Sequence, residues 1–205
     1  MLDLLLADAR TPTGGFAHSN GVEPADIEPA ELEAFLRGRL STTGLVDAAV
    51  AAAAARGEEP LALEAAWIAR TPSAPIRDAA RRQGRSLLRV AERLWPGALD
   101  SYSAASAGTP RPVVLGLCGS LAGLSARRVA QLCLYDDAAT CCAAMPKLGA
   151  VDALDVTAVL AASEGLIAGL ADRAVAAREL PSAAAPLLDL RSVAHHENHR
   201  RLFAT

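Results

Sequence analysis

The chain has 205 residues and a net charge of −3, and only 3% of its residues are aromatic. This length suits one domain with a substantial core, and the charge excludes a bulk attraction to nucleic acid or to an anionic membrane. Alanine is abundant, whereas β-branched and aromatic runs are scarce. We therefore expect an all-α fold, a single-domain helical bundle of about seven to ten helices over residues 1–205.

The N-terminus carries Asp3 and Asp8 without a basic segment, which does not fit a signal peptide. The longest uncharged apolar run, residues 112–126, is shorter than the roughly 20 residues of a membrane span. We therefore expect a cytoplasmic protein with neither membrane nor nucleic acid as a partner. The four cysteines lie in apolar helical sequence outside any Cys-x-x-Cys pair, which favours buried reduced thiols over disulfides or a zinc site.

Residues 11–23, TPTGGFAHSNGVE, separate a short apolar start from helix-like sequence. Pro12, Gly14 and Gly15 disfavour a regular element, because proline lacks an amide donor and glycine weakens a helix. Phe16 is nevertheless a large apolar ring that favours burial on the protein or on a partner. A connecting loop and a docking segment are both compatible with this stretch.

Apolar residues at helical spacing predict helices over residues 32–40, 43–55, 61–70 and 76–95. The last of these is expected to be capped by Ser73. It carries arginines at strict four-residue steps, which are compatible with a solvated face, with a docking stripe for an acidic partner, or with a stripe for phosphates. No aromatic residues alternate with them, which argues against base stacking. These arginines are Arg77, Arg81, Arg85, Arg89 and Arg93.

After a loop-rich segment with a short helix near residues 99–107, a glycine-containing uncharged run predicts a central buried helix at residues 113–124. The next helix is capped by Ser125 and is expected to end at Met145-Pro146. Its apolar stripe is interrupted by Asp136 and Asp137, which we interpret as a solvent-facing or capped pair, with a bound cation as the alternative. A last long helix is predicted to begin after Asp152 and to extend to Ala174, and residues 181–205 form a mixed tail.

The tail holds three of the four histidines, and it has two interpretations. His195 and His199 have the spacing of two metal ligands on one helical turn, but no third convergent ligand is identifiable. Alternatively, Leu202 and Phe203 beside two arginines form an apolar and cationic anchor for a partner.

Several blocks of the chain together resemble the urease accessory protein UreF family, whose members are nickel-delivery chaperones. The family commonly has an arginine or lysine at the position of Ala144, and Lys147 supplies a cation three residues later. The matching blocks are Asp8 to Glu23, Arg82-Gln83-Gly84 with Leu87-Leu88, Pro112 to Leu117, Leu148-Gly149 with Asp152, and the closing signature from Pro186 to Phe203.

The resemblance implies an all-helical adaptor without catalytic residues, metal ligands or cofactors of its own. Such a protein would form a homodimer, bind UreD (also called UreH), recruit the nickel-carrying GTPase UreG, and act on the urease apoprotein during GTP-dependent nickel insertion. The chain contains no P-loop, Gly-x-Ser-x-Gly or His-Glu-x-x-His motif, in agreement with a non-enzymatic role. The alternative is a nickel-binding protein that uses His18 or the C-terminal histidines.

The resemblance also implies candidate partner-binding residues in an N-terminal motif segment, residues 1–24, at one lysine, and in the C-terminal tail. We expect the tail to bind UreD, and the N-terminal segment with the dimer surface to receive UreG. The candidate residues are Pro12, Gly14, Gly15, Phe16, His18, Ser19, Gly21, Glu23, Lys147, Asp189, Ser192, His196, Glu197, Arg201, Leu202 and Phe203.

Overall fold

A computed structural model describes residues 1–149 and 151–204, and all the regular structure in these residues is helical. Nine of its twelve α-helices have eight or more residues, which confirms the predicted all-α class. The α-helices are α1 (Leu2–Ala7), α2 (Val22–Ala25), α3 (Leu32–Arg39), α4 (Leu45–Ala55), α5 (Pro60–Arg70), α6 (Ala74–Leu94), α7 (Asp100–Ala105), α8 (Arg111–Leu121), α9 (Ala126–Lys147), α10 (Ala153–Ala162), α11 (Glu164–Ala176) and α12 (Pro186–His196). Short 3₁₀ turns lie at Gly15–Ala17 and Pro29–Glu31, and a π-helical turn lies at Leu40–Gly44.

Helix α4 lies in the middle of the bundle, packed against α8, α9 and α11. Its residues from Ala48 to Ala54 are all buried, and their small side chains let neighbouring backbones approach closely. Helix α8 crosses α4 at Gly116, where a Cβ would collide with the Ala51 carbonyl oxygen and the Ala54 side chain. The glycine-containing helix predicted to be central is therefore α8, and its glycine is required by its contact with α4.

Two predicted helix starts are confirmed by their caps. Ser73 Oγ accepts the Ile76 N–H at 3.4 Å at the start of α6, and Ser125 Oγ accepts the Arg128 N–H at 3.2 Å at the start of α9. Each serine thus accepts a hydrogen bond from a backbone N–H of the first helical turn that has no partner within the helix.

The four cysteines are Cys118 in α8 and Cys133, Cys141 and Cys142 in α9, and all four are free and buried. Burial raises the pKa of each thiol, so the thiols are neutral at pH 7 and poor nucleophiles. The prediction of buried reduced thiols is confirmed.

Three predicted boundaries differ from the structure. Helix α9 continues through Pro146 to Lys147, because a proline in the last turn removes few hydrogen bonds. The predicted last helix is interrupted at Ser163, whose Oγ donates to the Val159 carbonyl at 2.9 Å, a bond that competes with regular helix. Part of the predicted mixed tail is helical and forms α12. The predicted turn after α9 includes Ala150, which lies outside the described residues.

Within residues 1–149 and 151–204, no single helix combines the length and the apolar character of a membrane span. Helices α10 and α11 reach that length and composition only as a pair, which is bent by 44°.

Candidate partner-binding site

The two ends of the chain meet at the carboxylate of Glu23, in the short helix α2. Its Oε1 accepts the Leu202 N–H at 2.6 Å, and its Oε2 accepts the Phe203 N–H at 2.8 Å. His195 Nε2 lies 3.2 Å from the same Oε2. One carboxylate therefore holds the end of the tail against the N-terminal segment. We call this set of Glu23, His195, Leu202 and Phe203 the terminal latch.

Lys147, the last residue of α9, contacts both of the segments that the latch joins. Its Nζ donates to the Phe16 carbonyl at 3.1 Å and lies 5.4 Å from the centroid of the Phe203 ring. The Ala204 N–H donates to the Ala17 carbonyl at 2.9 Å beside it. A cation over an aromatic face contributes about 0.5–1 kcal/mol at an exposed site. The lysine singled out in the sequence thus lies between the N-terminal motif and the tail.

Tight turns shape the N-terminal motif. Gly14 and Gly21 have φ values of 80° and 90°, a left-handed conformation that glycine adopts with little strain. Asn20, which the sequence analysis did not select, has φ 51°, and its Nδ2 donates to Asp137 Oδ1 at 2.7 Å. This bond ties the motif to α9, so the turns rest on the core of the bundle.

Two of the predicted contact residues, His18 and Ser19, are buried beneath the motif. Burial, together with the charges of Arg82 and Arg111, lowers the pKa of His18 to about 4, so the imidazole is neutral at pH 7. Ser19 Oγ accepts the Glu23 N–H at 3.2 Å. In this conformation both side chains are enclosed within the protein.

Several large apolar side chains of this region are exposed. Phe16 is 70% exposed and Leu202 is 61% exposed, on the two segments joined by the latch. Leu187, Leu190 and Val193 follow at three-residue steps along α12 and are also exposed, and we call these three the α12 stripe. Large apolar side chains concentrated in this way mark a surface suited to a protein partner.

The remaining candidate residues of the tail form two groups, one packed against the bundle and one exposed to solvent. Ser192 is buried, with its Oγ 2.6 Å from the Oγ of Ser73, the residue that caps α6. Burial raises the pKa of Asp189, one turn earlier in α12. These two residues hold α12 against the bundle. By contrast, His196, Glu197 and Arg201 are exposed, and Arg201 donates to the His196 carbonyl at 2.9 Å.

The three tail histidines do not converge on one point. His195 is buried against Glu23, His196 Nδ1 lies 3.1 Å from the Arg201 guanidinium, and His199 is exposed. In the part of the chain that the structure describes, no group of three His, Cys, Asp or Glu side chains is placed to hold a metal ion. The described residues therefore contain no ligand set that would support the alternative of a nickel-binding protein.

Known proteins resemble the chain along almost its entire length. The UreF family model matches residues 28–164, and the urease accessory protein UreF of Mycolicibacterium vanbaalenii is 39% identical over 211 residues, 98% of this chain and 97% of the relative. The chain belongs to the UreF family. UreF proteins of Mycobacterium marinum and Mycobacterium tuberculosis are also 39% identical, each over 98% of this chain and 97% of its own length. The resemblance found in the sequence blocks is confirmed.

Beneath α12, this UreF-family chain has a charged interior. A cavity of about 90 Å³ lies between α4, α6, α9 and α12. On its walls Arg39 Nε donates to Asp137 Oδ1 at 2.8 Å, and Arg111 pairs with Asp136 at 2.7 Å. The interpretation of these aspartates as solvent-facing or capped is wrong, because each pairs with a largely buried guanidinium from another part of the chain. The sequence contained one signal of this burial, because both aspartates lie within the apolar stripe of α9.

The connection between α3 and α4 borders this interior. They are joined by the π-helical turn, not separated as predicted, and a Cβ on its Gly44 would lie 3.2 Å from Asp137 Oδ2. That oxygen is buried without a hydrogen-bond partner among the described residues. Nearby, Trp67 Nε1 donates to Asp47 Oδ1 at 2.7 Å, yet burial raises the pKa of Asp47 to about 6. The fold thus keeps carboxylates buried although their hydrogen bonds and ion pairs only partly offset the free-energy cost of removing them from water.

Proposed function

We propose that this chain is a cytoplasmic, non-enzymatic adaptor in urease maturation. It bridges UreD (UreH) and the nickel-carrying GTPase UreG, and so takes part in GTP-dependent nickel insertion into the urease apoprotein. The name shared by its relatives, urease accessory protein, supports the maturation role. The observation that carries the adaptor role is the meeting of the N-terminal motif and the tail at Glu23, with Phe16 and Leu202 left exposed.

We assign the α12 stripe to the contact with UreD. Its three side chains are exposed, while Ser192 on the same helix holds α12 to α6. A partner that covered the stripe would remove apolar surface from water, at about 25 cal/mol per Å² buried. Within the tail, helix α12 thus has one side packed on the bundle and one side free for a partner.

Co-elution with the cognate UreD in size-exclusion chromatography tests this assignment. Leu190→Glu places a charge in the stripe, and we expect it to abolish co-elution. Leu154→Glu on α10 is the matched control, because Leu154 is 79% exposed and lies in another helix, and we expect it to co-elute normally. Normal co-elution of the Leu190 variant would refute the contact.

We assign the surface around Phe16 and Lys147 to the recruitment of UreG. Phe16→Ser removes an exposed ring but leaves its carbonyl, which accepts from Lys147 Nζ. We expect the affinity of UreG for the complex with UreD to fall about tenfold, as is common for an exposed aromatic anchor. Leu121→Ser at the end of α8 serves as the control, and an equal effect of both substitutions would remove Phe16 from the interface.

The proposed homodimer is tested independently of both contacts. Light scattering during chromatography of the complex with UreD should give a total mass that includes two copies of this chain. A single copy in the UreD complex would contradict this part of the proposal.

A further inference from the structure

A groove lies between the N-terminal segment and the C-terminal half of α6, with a volume of about 500 Å³. It is lined by Leu5 and Pro12 on one side and by Val90 and Leu94 on the other, and we call these four apolar residues the floor of the groove. Leu5 and Leu94 are 38% and 37% exposed, so apolar surface is open to solvent inside the concavity. This volume is within the range of typical binding pockets, whose walls are mostly apolar.

The wall from the N-terminal segment is held in place by local bonds. Thr11 is buried, and its Oγ1 donates to the Leu5 carbonyl at 2.7 Å. Arg10 donates to both oxygens of Asp8, at distances from 2.8 to 3.1 Å. The groove is therefore bounded by a fixed turn and a long helix.

The charges around the groove are unbalanced. Asp8, which lines it, is neutralised by Arg10, and Asp3 in α1 is paired with Arg128 at 2.8 Å. Arg89 and Arg93, which also line it, have no ion pair with any carboxylate in residues 1–149 or 151–204. The groove thus presents two uncompensated guanidiniums beside an apolar floor.

The other arginines that recur at four-residue steps along α6 include two that have partners within the chain. Arg77 donates to the carbonyls of Thr71 and Pro72, both at 2.7 Å, and so closes the end of α5. Arg81 lies 3.4 Å from Asp78. Arg77 and Arg81 are therefore engaged within the chain. At the groove, Arg89 Nη2 donates to Ser86 Oγ at 3.4 Å, a neutral partner that leaves its charge uncompensated.

We propose that this groove binds an acidic segment of a partner protein, with leucine-sized side chains on the floor and carboxylates on Arg89 and Arg93. Guanidiniums bind carboxylates in a bidentate manner, and amphipathic helices commonly place apolar anchors into such grooves. The groove is a surface other than the latch and the α12 stripe, so this contact goes beyond the proposed adaptor contacts and does not depend on them. Nucleic acid is less well suited, because the floor is aliphatic and offers no ring for base stacking.

Fluorescence anisotropy with the isolated full-length chain tests the proposal. The probe is a labelled helical peptide of about twelve residues, with leucines at i, i+4 and i+7 and glutamates at most other positions. A second peptide has serines in place of the leucines, and a labelled single-stranded oligonucleotide of similar length provides the nucleic-acid comparison. We expect the leucine-containing acidic peptide to bind most tightly, and more weakly as salt is added.

Charge reversal at the groove provides the decisive comparison. Arg89→Glu with Arg93→Glu should weaken binding of the acidic leucine peptide about tenfold or more. Arg173→Glu with Arg178→Glu makes the same charge change at exposed positions away from the groove, and should leave affinity within about twofold. Leu94→Ser should weaken binding without any change in charge.

Four results would overturn the proposal. They are the absence of peptide binding, equal weakening by both double variants, equal binding of the serine peptide, and tighter binding of the oligonucleotide that is lost in the Arg89 and Arg93 variant. None of them bears on co-elution with UreD, so failure here is distinguishable from failure of the adaptor role.

Discussion

Helix α4 and the terminal latch fix the chain in contrasting ways. Helix α4 is enclosed by other helices, and its alanines pack directly against the backbone of α8 at Gly116. The latch instead depends on one carboxylate that accepts two backbone N–H groups near the surface. Tightly packed core helices open only with the whole fold, whereas a terminal segment held by a few bonds can open alone. The bundle therefore provides stability, and the latch fixes the two segments that carry the exposed side chains of Phe16 and Leu202.

The largest effect should follow a change at the crossing of α4 and α8. Gly116→Val introduces atoms that collide with the Ala51 carbonyl, a backbone group that cannot move without displacing α4. We expect a loss of about 3 kcal/mol or more in the free energy of unfolding, measured by urea denaturation.

Gly169→Ala on α11 is the matched control, because no atom lies within 4 Å of the position of its new Cβ. Alanine should stabilise this helix by about 0.5–1 kcal/mol. If both substitutions had similar effects, the close α4–α8 contact would be contradicted.

The buried ion pair should give an effect of similar size. Asp137→Ala leaves the Arg39 guanidinium largely buried without its carboxylate, and should cost about 3–5 kcal/mol in the free energy of unfolding. The double variant with Arg39→Met and Asp137→Leu should recover much of this loss, because no charge then remains unpaired. A double variant as unstable as the single one would show that the charge is not the cause.

The pH dependence of stability should reveal two opposing groups. His18 has its folded pKa lowered to about 4 from 6.5, so the unfolded state binds more protons and stability rises with pH between these values. Asp47 has its folded pKa raised to about 6 from 3.8, so the folded state binds more protons and stability falls with pH across that interval. Each group alone changes the slope by at most about 1.4 kcal/mol per pH unit.

Replacement of each group should therefore shift the slope in opposite directions. Between about pH 4 and 6, Asp47→Asn should make the slope of unfolding free energy against pH more positive, and His18→Asn should make it more negative. Urea denaturation at several pH values measures this, with the exposed Asp155→Asn as a control. Slopes that moved in the same direction would contradict the burial of one of the two groups.

The smallest effect on global stability should come from the latch. Glu23→Ala removes the acceptor of the Leu202 and Phe203 N–H groups, and should cost only about 1–2 kcal/mol, because the helices keep their core. Hydrogen exchange should be about tenfold faster at these two amides and unchanged in α4. Glu33→Ala, which breaks an exposed pair with Arg37, is the control and should leave the tail protected. Faster exchange throughout α4 would show that latch and bundle open together.

The difference between the two regions also determines what the sequence could predict. The all-α class and the caps at Ser73 and Ser125 depend on local composition and spacing, and they were predicted correctly. The paired burial of Asp136 and Asp137 was missed, because their guanidinium partners lie on distant parts of the chain. The latch joins residues 179 and 180 positions apart, a proximity that no local pattern contains. The family resemblance identified both of its segments, but not the bonds between them.

The central claim is that the latch forms the surface recognised by the partners. Its most direct test measures the binding of cognate UreD, and then of UreG, to wild-type, Glu23→Ala and Glu33→Ala chains, together with hydrogen exchange in the tail. We predict that Glu23→Ala releases the amides of Leu202 and Phe203 and weakens assembly about tenfold, while Glu33→Ala behaves as wild type. A Glu23 variant with a released tail and wild-type affinity for both partners would contradict the claim.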